Sequence, residues 1–263
     1  MTQFFRFSVG VGPLLVSIPH SGGEIPKPIA ATMTKEGLAQ PDTDFFVDKL
    51  YDFLGHLKVP TLAATQSRYV VDLNRPPDDS SLYPGRFTTG LVPTTTFAGS
   101  EIYKKGKAPG ASQVKKRLEV YWRPYHDKLI EELEKIKAAY GYALLWDAHS
   151  IRSVVPALFD DQLPHLSFGS NSGHSHRLEF EPAFEGIMEG AREYSYVLDG
   201  RFKGGYITRT YGQPWEGVHA LQLELSQETY MDEELNTFDQ EKAVKTAALL
   251  ERLILSFMDM HPY

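Results

Sequence analysis

Leu14-Leu15-Val16-Ser17-Ile18-Pro19-His20 and Leu144-Leu145-Trp146-Asp147-Ala148-His149 are built alike. Each is a short, almost uninterrupted apolar run that stops on a histidine. Such runs read as strands buried on both faces that then break off into a loop. A third run, Leu221-Gln222-Leu223, ends on Glu224. In an open α/β sheet, ligands gather outside the carboxyl ends of the strands. Two imidazoles and a carboxylate delivered there by separate strands are the parts of a one-metal hydrolase.

Working outward, residues 13–19 form the first strand, followed by a loop with Gly22, Gly23, Pro26 and Pro28. Asp42 or Thr43 caps a helix to residue 54, in which Phe46, Leu50, Phe53 and Leu54 share a face. Residues 60–65 and 69–73 read as two short strands. From Asn74 to Gly110 periodicity disappears among Pro76, Pro77, Pro84, Pro93 and Pro109. A connection this long is usually functional or disordered, and its arginines and aromatic residues favour function.

The longest helix is expected over 112–140, with Val114, Leu118, Tyr121, Tyr125, Leu129 and Leu133 as its apolar stripe. Pro124 kinks it and Gly141 ends it. A strand at 142–147 follows at once. A helix over 183–194, strands at 195–198 and 218–225, and a last helix to residue 258 complete the pattern. That helix opens on a Thr237-x-x-Gln240 capping box. Strands alternating with helices predict an α/β fold: a single domain over 1–263, built on a mixed, mostly parallel sheet with helices on both faces.

The chain has 263 residues, 42% of them hydrophobic and 23% charged, which is ordinary for a globular domain. Its net charge of −7 and the lack of a basic stripe argue against nucleic acid as a partner. There is no cysteine, so disulfides, thiolate metal sites and a cysteine nucleophile are excluded. Any metal must sit on His, Asp and Glu. The N-terminus lacks the basic and apolar regions of a signal peptide. No run approaches the roughly 18 apolar residues of a membrane span. These features predict a soluble, cytoplasmic protein without a membrane partner, and none of them specifies an oligomeric state.

The candidate site residues carry competing readings. His20 precedes a Gly pair that lets backbone approach a ligand closely, although a histidine there also serves as a turn or core residue. Glu24 adds a carboxylate on the same loop. His149 has Asp147 two residues before it, on the same strand face, as an orienting partner. Asp44, in the first turn of the expected helix, is a cap or a third metal ligand. Glu224 is a general base or a structural ion-pair partner. Arg75, Arg86, Arg152 and Arg209 lie in loop-like sequence, most of them close to these motifs. Arginine suits bidentate carboxylate recognition, so together they point to a small acidic substrate. The chain has no His-Glu-x-x-His, no P-loop and no Gly-x-Gly-x-x-Gly. Gly169-Ser170-Asn171-Ser172-Gly173 mimics a nucleophile elbow but has Asn at the nucleophile position.

Several segments together resemble the N-formylglutamate amidohydrolase family, the deformylases of bacterial histidine degradation. They are Pro19-His20-Ser21-Gly22 with Ile25-Pro26, Asp42-Thr43-Asp44-Phe45 and Val71-Asp72-Leu73-Asn74-Arg75. Asp147-Ala148-His149-Ser150 and Leu223-Glu224-Leu225-Ser226 complete the set. Asn171-Ser172-Gly173 and Gly204-Gly205-Tyr206-Ile207-Thr208 fit as well. The resemblance spans residues 13–231 and lies in the order and number of the motifs, since no single one is specific.

The resemblance implies a phosphorylase/hydrolase-like fold similar to the zinc exopeptidases, and hydrolysis of N-formyl-L-glutamate to glutamate and formate. It implies zinc held by His20, His149 and either Asp44 or Glu24, with a position left open for water. Such ligands also accept Mn²⁺, Fe²⁺ or Co²⁺. Glu224 would be the general base, and two of Arg75, Arg86, Arg152 and Arg209, with Asn74, would hold the substrate. The chain departs from the carboxypeptidase His-x-x-Glu pattern, because Glu24 lies four residues after His20. Two rivals stand beside this reading. One is a zinc amidase or carboxypeptidase acting on larger N-acyl amino acids or peptides. The other is a non-catalytic carboxylate-binding protein on the same fold.

Overall fold

The computed structural model describes residues 4–82, 85, 88–159, 161–177 and 179–262. Its first strands are β1 (Phe5–Ser8), β2 (Leu14–Ile18) and β3 (Thr61–Ala64). Between β2 and β3 come four short helices: α1 (Lys27–Ala30), α2 (Lys35–Ala39), α3 (Val47–Leu50) and α4 (Leu54–Leu57). After β3 follow α5 (Ala111–Arg117), a π-turn over Leu118–Trp122 and α6 (Arg123–Tyr140). Then come β4 (Ala143–Ile151), β5 (Leu166–Gly169), α7 (Glu181–Glu189), β6 (Tyr196–Leu198), α8 (Tyr206–Tyr211), β7 (Val218–Ser226) and α9 (Gln240–Met258). A two-stranded hairpin pairs Met231–Asp232 with Thr237–Phe238.

The main sheet has the order β1-β3-β2-β4-β7-β5-β6. Its centre, β3-β2-β4-β7, is parallel throughout. Strand β1 pairs antiparallel with β3, and β5 antiparallel with β7. The expected mixed, mostly parallel sheet is therefore present. The chain runs from β2 to β3 on one side and reaches β4 on the other, so a topological switch point lies between β2 and β4. A crevice opens at such a point, at the carboxyl edge.

Alternation along the central strands divides the core. Leu14, Val16, Leu144, Trp146, Leu221 and Leu223 pack with residues of α3, α4, α7 and α9 on one face. Leu15, Leu145 and Ala220 pack with residues of α5, α6 and α8 on the other. Burial on both faces is why these strands read as continuous apolar runs. Each large side chain buried this way contributes roughly 1.5–3 kcal/mol. On the second face, Ser17, Asp147 and Gln222 stand in register across β2, β4 and β7, and His149 stands beside Glu224. Polar side chains thus replace apolar ones only towards the carboxyl edge.

The structure differs from the sequence reading in several places. Residues 42–46 are a loop, not the first turn of a helix, and Phe46 adopts φ +60° at its end. Residues 69–73 form turns rather than a strand, with Val70 N–H donating to Ser67 O and Asp72 N–H to Leu91 O. Their β-branched and aromatic content comes from burial in a loop. Strand β4 runs on to Ile151, so His149 lies within the strand rather than after it. Strands β1 and β5 and helix α8 were not anticipated. The cap of α9 is Asp239, which accepts from Glu241 N–H and Lys242 N–H, rather than Thr237. The helix over 112–140 is interrupted by the π-turn over Leu118–Trp122, and Pro124 then sits in the first turn of α6, where its missing N–H costs little. Gly141 closes α6 at φ +83°. Among the described residues, no helix is long and apolar enough to cross a membrane.

Candidate active site

The loop leaving β2 turns at once, and His20 is 3% exposed. Its Nε2 lies 2.8 Å from Asp72 Oδ1. With that nitrogen giving its proton to the carboxylate, the lone pair is left on Nδ1, which lies 3.8 Å from Asp44 Oδ2. Burial, followed by the charge of Arg68, lowers the His20 pKa and keeps the ring neutral. Neutral imidazole is the form that binds a metal.

Asp44 is pinned to both strand ends. Its backbone N–H donates to His20 O (3.2 Å), and its Oδ2 accepts from Ser150 N–H (3.1 Å). The same oxygen lies 3.1 Å from His149 Nδ1. Asp44 Oδ1 is buried and accepts no hydrogen bond among the described residues; Arg68 Nη1 stands 3.6 Å away. Burial works against the Asp44 charge, but the His149 hydrogen bond and the charges of His20, His149 and Arg68 lower its pKa.

His149 is held at both nitrogens. Asn74 Oδ1 accepts from Ile207 N–H (2.8 Å), which turns Asn74 Nδ2 towards His149 Nε2 at 2.8 Å. Asp147 Oδ2 lies 3.1 Å from the same ring nitrogen. Burial would lower the His149 pKa, yet Asp147 and Asp44 outweigh it and raise it well above the ordinary value. The site favours positive charge at this point.

One ligand atom each from His20, Asp44 and His149 lie within 4.8 Å of one another, all three residues buried. Two imidazoles and a carboxylate match the donor set of catalytic zinc sites. Asp72 and Asp147 behind the rings supply the outer hydrogen bonds that such ligands require. Asp44, Asp72 and Asp147 are buried with Arg68 as the one paired guanidinium among them, so the charge balance also suits a dication. The residues fit a divalent metal, and Asp44 Oδ2 is the carboxylate oxygen that faces both imidazoles.

Glu224 enters from β7 beside His149. Its Oε2 accepts from Gln222 Nε2 at 3.3 Å, and burial pushes its pKa up to about 8. His20, Arg68, Asn74, Arg75, His149, Gln222 and Glu224 all line one cleft, with Phe97, Arg201, Phe202 and Gly205 among its other walls. A Cβ at Gly205 would come within 2.2 Å of Asn74 Nδ2, so only glycine lets this strand of the wall approach.

The cleft thus gathers His20, Asp44 behind it, His149, Glu224, Asn74 and Arg75. It does not gather the rest of the sequence candidates. Glu24 is exposed on the far part of its loop, its Oε2 bound by Gln66 Nε2 and its backbone tied to Thr65 and Ser67. Arg152 turns to an adjoining apolar cavity and donates to Glu233 O. Arg209 holds Gly204 O and Leu82 O. Arg86 lies outside the described residues. Sequence reasoning missed Arg68, whose Nη2 donates to Asp72 Oδ2 at 2.7 Å and whose ring neighbour is Phe97. The i,i+4 spacing of Arg68 and Asp72 was the available signal, hidden by the assignment of a strand to 69–73. Arg201 and Gln222 were also missed.

Residues 12–231 match the family model of N-formylglutamate amidohydrolase. The chain belongs to the N-formylglutamate amidohydrolase family. As a member it is an amidohydrolase acting on a linear carbon–nitrogen amide bond. It is 48% identical over 259 residues to an N-formylglutamate deformylase of Pseudomonas aeruginosa, covering 98% of this chain and 97% of that protein. A deformylase of Pseudomonas putida is 44% identical over the same length and coverage. Among solved structures, the N-formylglutamate amidohydrolase of Ralstonia eutropha JMP134 matches with a TM-score of 0.78 at 23% identity, over 97% of this chain and 95% of that one. A gene product of Agrobacterium tumefaciens matches with a TM-score of 0.73 at 16% identity, with the same coverage. These last two likenesses concern the fold alone.

Proposed function

We propose that this amidohydrolase removes the formyl group of N-formyl-L-glutamate with the help of a divalent metal, zinc first, held by His20, Asp44 and His149. The observation that carries the reading is the convergence of those three side chains beside Glu224 in an arginine-bearing cleft. The names of the two Pseudomonas relatives support the substrate. A metal bound there supplies electrophilic activation of water and of the formyl carbonyl.

The chain's own residues do the rest. Glu224 takes the proton of the attacking water and returns it to the leaving α-amine. Asp72 and Asp147 hold the two imidazoles in orientation. Arg75 uses its Nε on Thr89 O and presents the remainder of its guanidinium to a substrate carboxylate; Asn74 and Arg201 border the same space. The walls of Phe97, Ile151 and Phe202 exclude water from the reacting bond. The substrate is then a small dianion, the setting is cytoplasmic, and the reaction fits the end of histidine degradation.

The test is formate release from N-formyl-L-glutamate before and after chelation and after zinc restoration, with N-acetyl-L-glutamate as the control. Zinc-dependent release confined to the formyl compound supports the reading. Release that survives complete metal removal rejects the metal, and no release from zinc-loaded protein rejects the substrate.

A further inference from the structure

The segment Leu73–Arg75 carries two of the cleft's polar side chains, and all three of its carbonyls are captured from outside the cleft. Leu73 O lies 2.8 Å from His126 Nε2. Asn74 O accepts from Tyr206 N–H at 3.3 Å. Arg75 O accepts from Trp122 Nε1–H at 3.1 Å. With every carbonyl turned away, the Asn74 and Arg75 side chains are left facing the cleft.

Two of the three captors sit together. Trp122 ends the π-turn and His126 follows one helical turn later, their rings stacked with centroids 3.7 Å apart. Tyr211 OH lies 2.8 Å from His126 Nδ1. That hydroxyl donates to Nδ1, which leaves the ring proton on Nε2 to donate to Leu73 O. The His126 ring is fully buried and touches no member of the metal cluster. A π-turn inside a long helix is a costly feature that is kept mostly at functional sites. Here it immediately precedes the stacked pair.

We propose that Trp122 and His126 are positioning residues for substrate binding: stacked at the end of the π-turn, they hold the carbonyls of Leu73 and Arg75 so that Arg75 is presented to the substrate carboxylate. This assignment rests on the reading that Arg75 meets the substrate. Neither residue touches the reacting atoms. Their effect is on the fit of the bound substrate and only weakly on the chemical step.

Trp122→Phe is the deciding variant, because it keeps an aromatic ring against His126 while deleting the N–H to Arg75 O together with part of the indole's bulk. Tyr140→Phe is the control; it removes a hydroxyl on the same helix that binds Gly12 N–H, far from the cleft. The expected result for Trp122→Phe is a KM for N-formyl-L-glutamate raised about fivefold, the worth of one hydrogen bond, with kcat within about twofold. Amides of residues 72–75 should exchange with deuterium faster in Trp122→Phe than in wild type or Tyr140→Phe. Should Trp122→Phe fail to fold, Tyr211→Phe, which frees the His126 tautomer, is expected to shift KM and exchange in the same direction. A KM no higher than that of Tyr140→Phe, or unchanged exchange at 72–75, overturns the proposal. If the wild-type protein releases no formate, the deformylase reading falls, and the exchange measurement alone decides the positioning role.

Discussion

His20 and His149 face each other across the boundary between β2 and β4, their ring centroids 4.9 Å apart. The boundary is the topological switch point of the sheet, and the two rings stand on either side of its crevice. Asp44 closes the triangle from a loop whose backbone is bonded to His20 and whose carboxylate is bonded to Ser150. The three candidate metal donors are therefore fastened to three separate pieces of chain that meet only in the folded state.

From this geometry, Asp44→Ala should abolish stoichiometric zinc binding, while Glu24→Ala should leave it intact. Metal content after dialysis against zinc, read by atomic spectroscopy, checks both. Asp72→Asn should weaken zinc by about 10–100-fold through the loss of the carboxylate behind His20. Retention of full metal by Asp44→Ala would remove that residue from the ligand set.

Glu224→Gln keeps the shape and the Gln222 contact but cannot take a proton. Its kcat should fall at least about a hundredfold, with zinc content and melting temperature close to wild type. Steady-state formate release measures the first and a thermal melt the last. Unchanged turnover would assign Glu224 a structural role.

Arg75 and Arg152 separate two readings of the arginines. Arg75→Ala should raise KM by about thirtyfold or more, corresponding to a loss of about 2 kcal/mol of binding. Arg152→Ala should change KM little, because its guanidinium points to the neighbouring cavity. Equal effects in the two variants would contradict the placement of the substrate.

His126 predicts an acid sensitivity that has nothing to do with catalysis. Burial lowers its pKa from the ordinary 6.5 to about 3, so the folded state keeps it neutral while the unfolded chain protonates it below pH 6.5. Its contribution to stability is complete above pH 6.5 and is lost progressively as pH falls towards 3. The slope approaches one proton, about 1.4 kcal/mol per pH unit. Urea titrations at pH 7, 6 and 5 should show wild type losing more stability per unit than His126→Phe, by up to that amount. Parallel pH dependences would show that His126 is not buried as a neutral ring.

How much of this was legible beforehand varies residue by residue. Leu14–Ile18, Leu144–Trp146 and Leu221–Leu223 were readable as central strands because a strand buried on both faces has no polar face to interrupt it. The short edge strands β1 and β5 lack that signature and were not seen. Tyr69–Leu73 looked like a strand because burial, whatever its cause, selects the same residues. His20, His149 and Glu224 were found because each ends or nearly ends such a run. Arg68 was not, because its importance comes from Asp44 and Asp72, which reach it from different loops.

Local apolar runs and the order of short motifs were enough to reveal the central sheet, the thiol-free donor set and the family. That Asp44 rather than Glu24 joins the two histidines, that Arg75 but not Arg152 faces the cleft, and that Trp122 and His126 stand behind Leu73–Arg75 emerged from long-range contacts in the folded chain. Strand burial is written in neighbouring residues. The direction in which a loop side chain points depends on hydrogen bonds to distant segments, such as Asp44 to His20 and Ser150, and those exist only once the chain has closed.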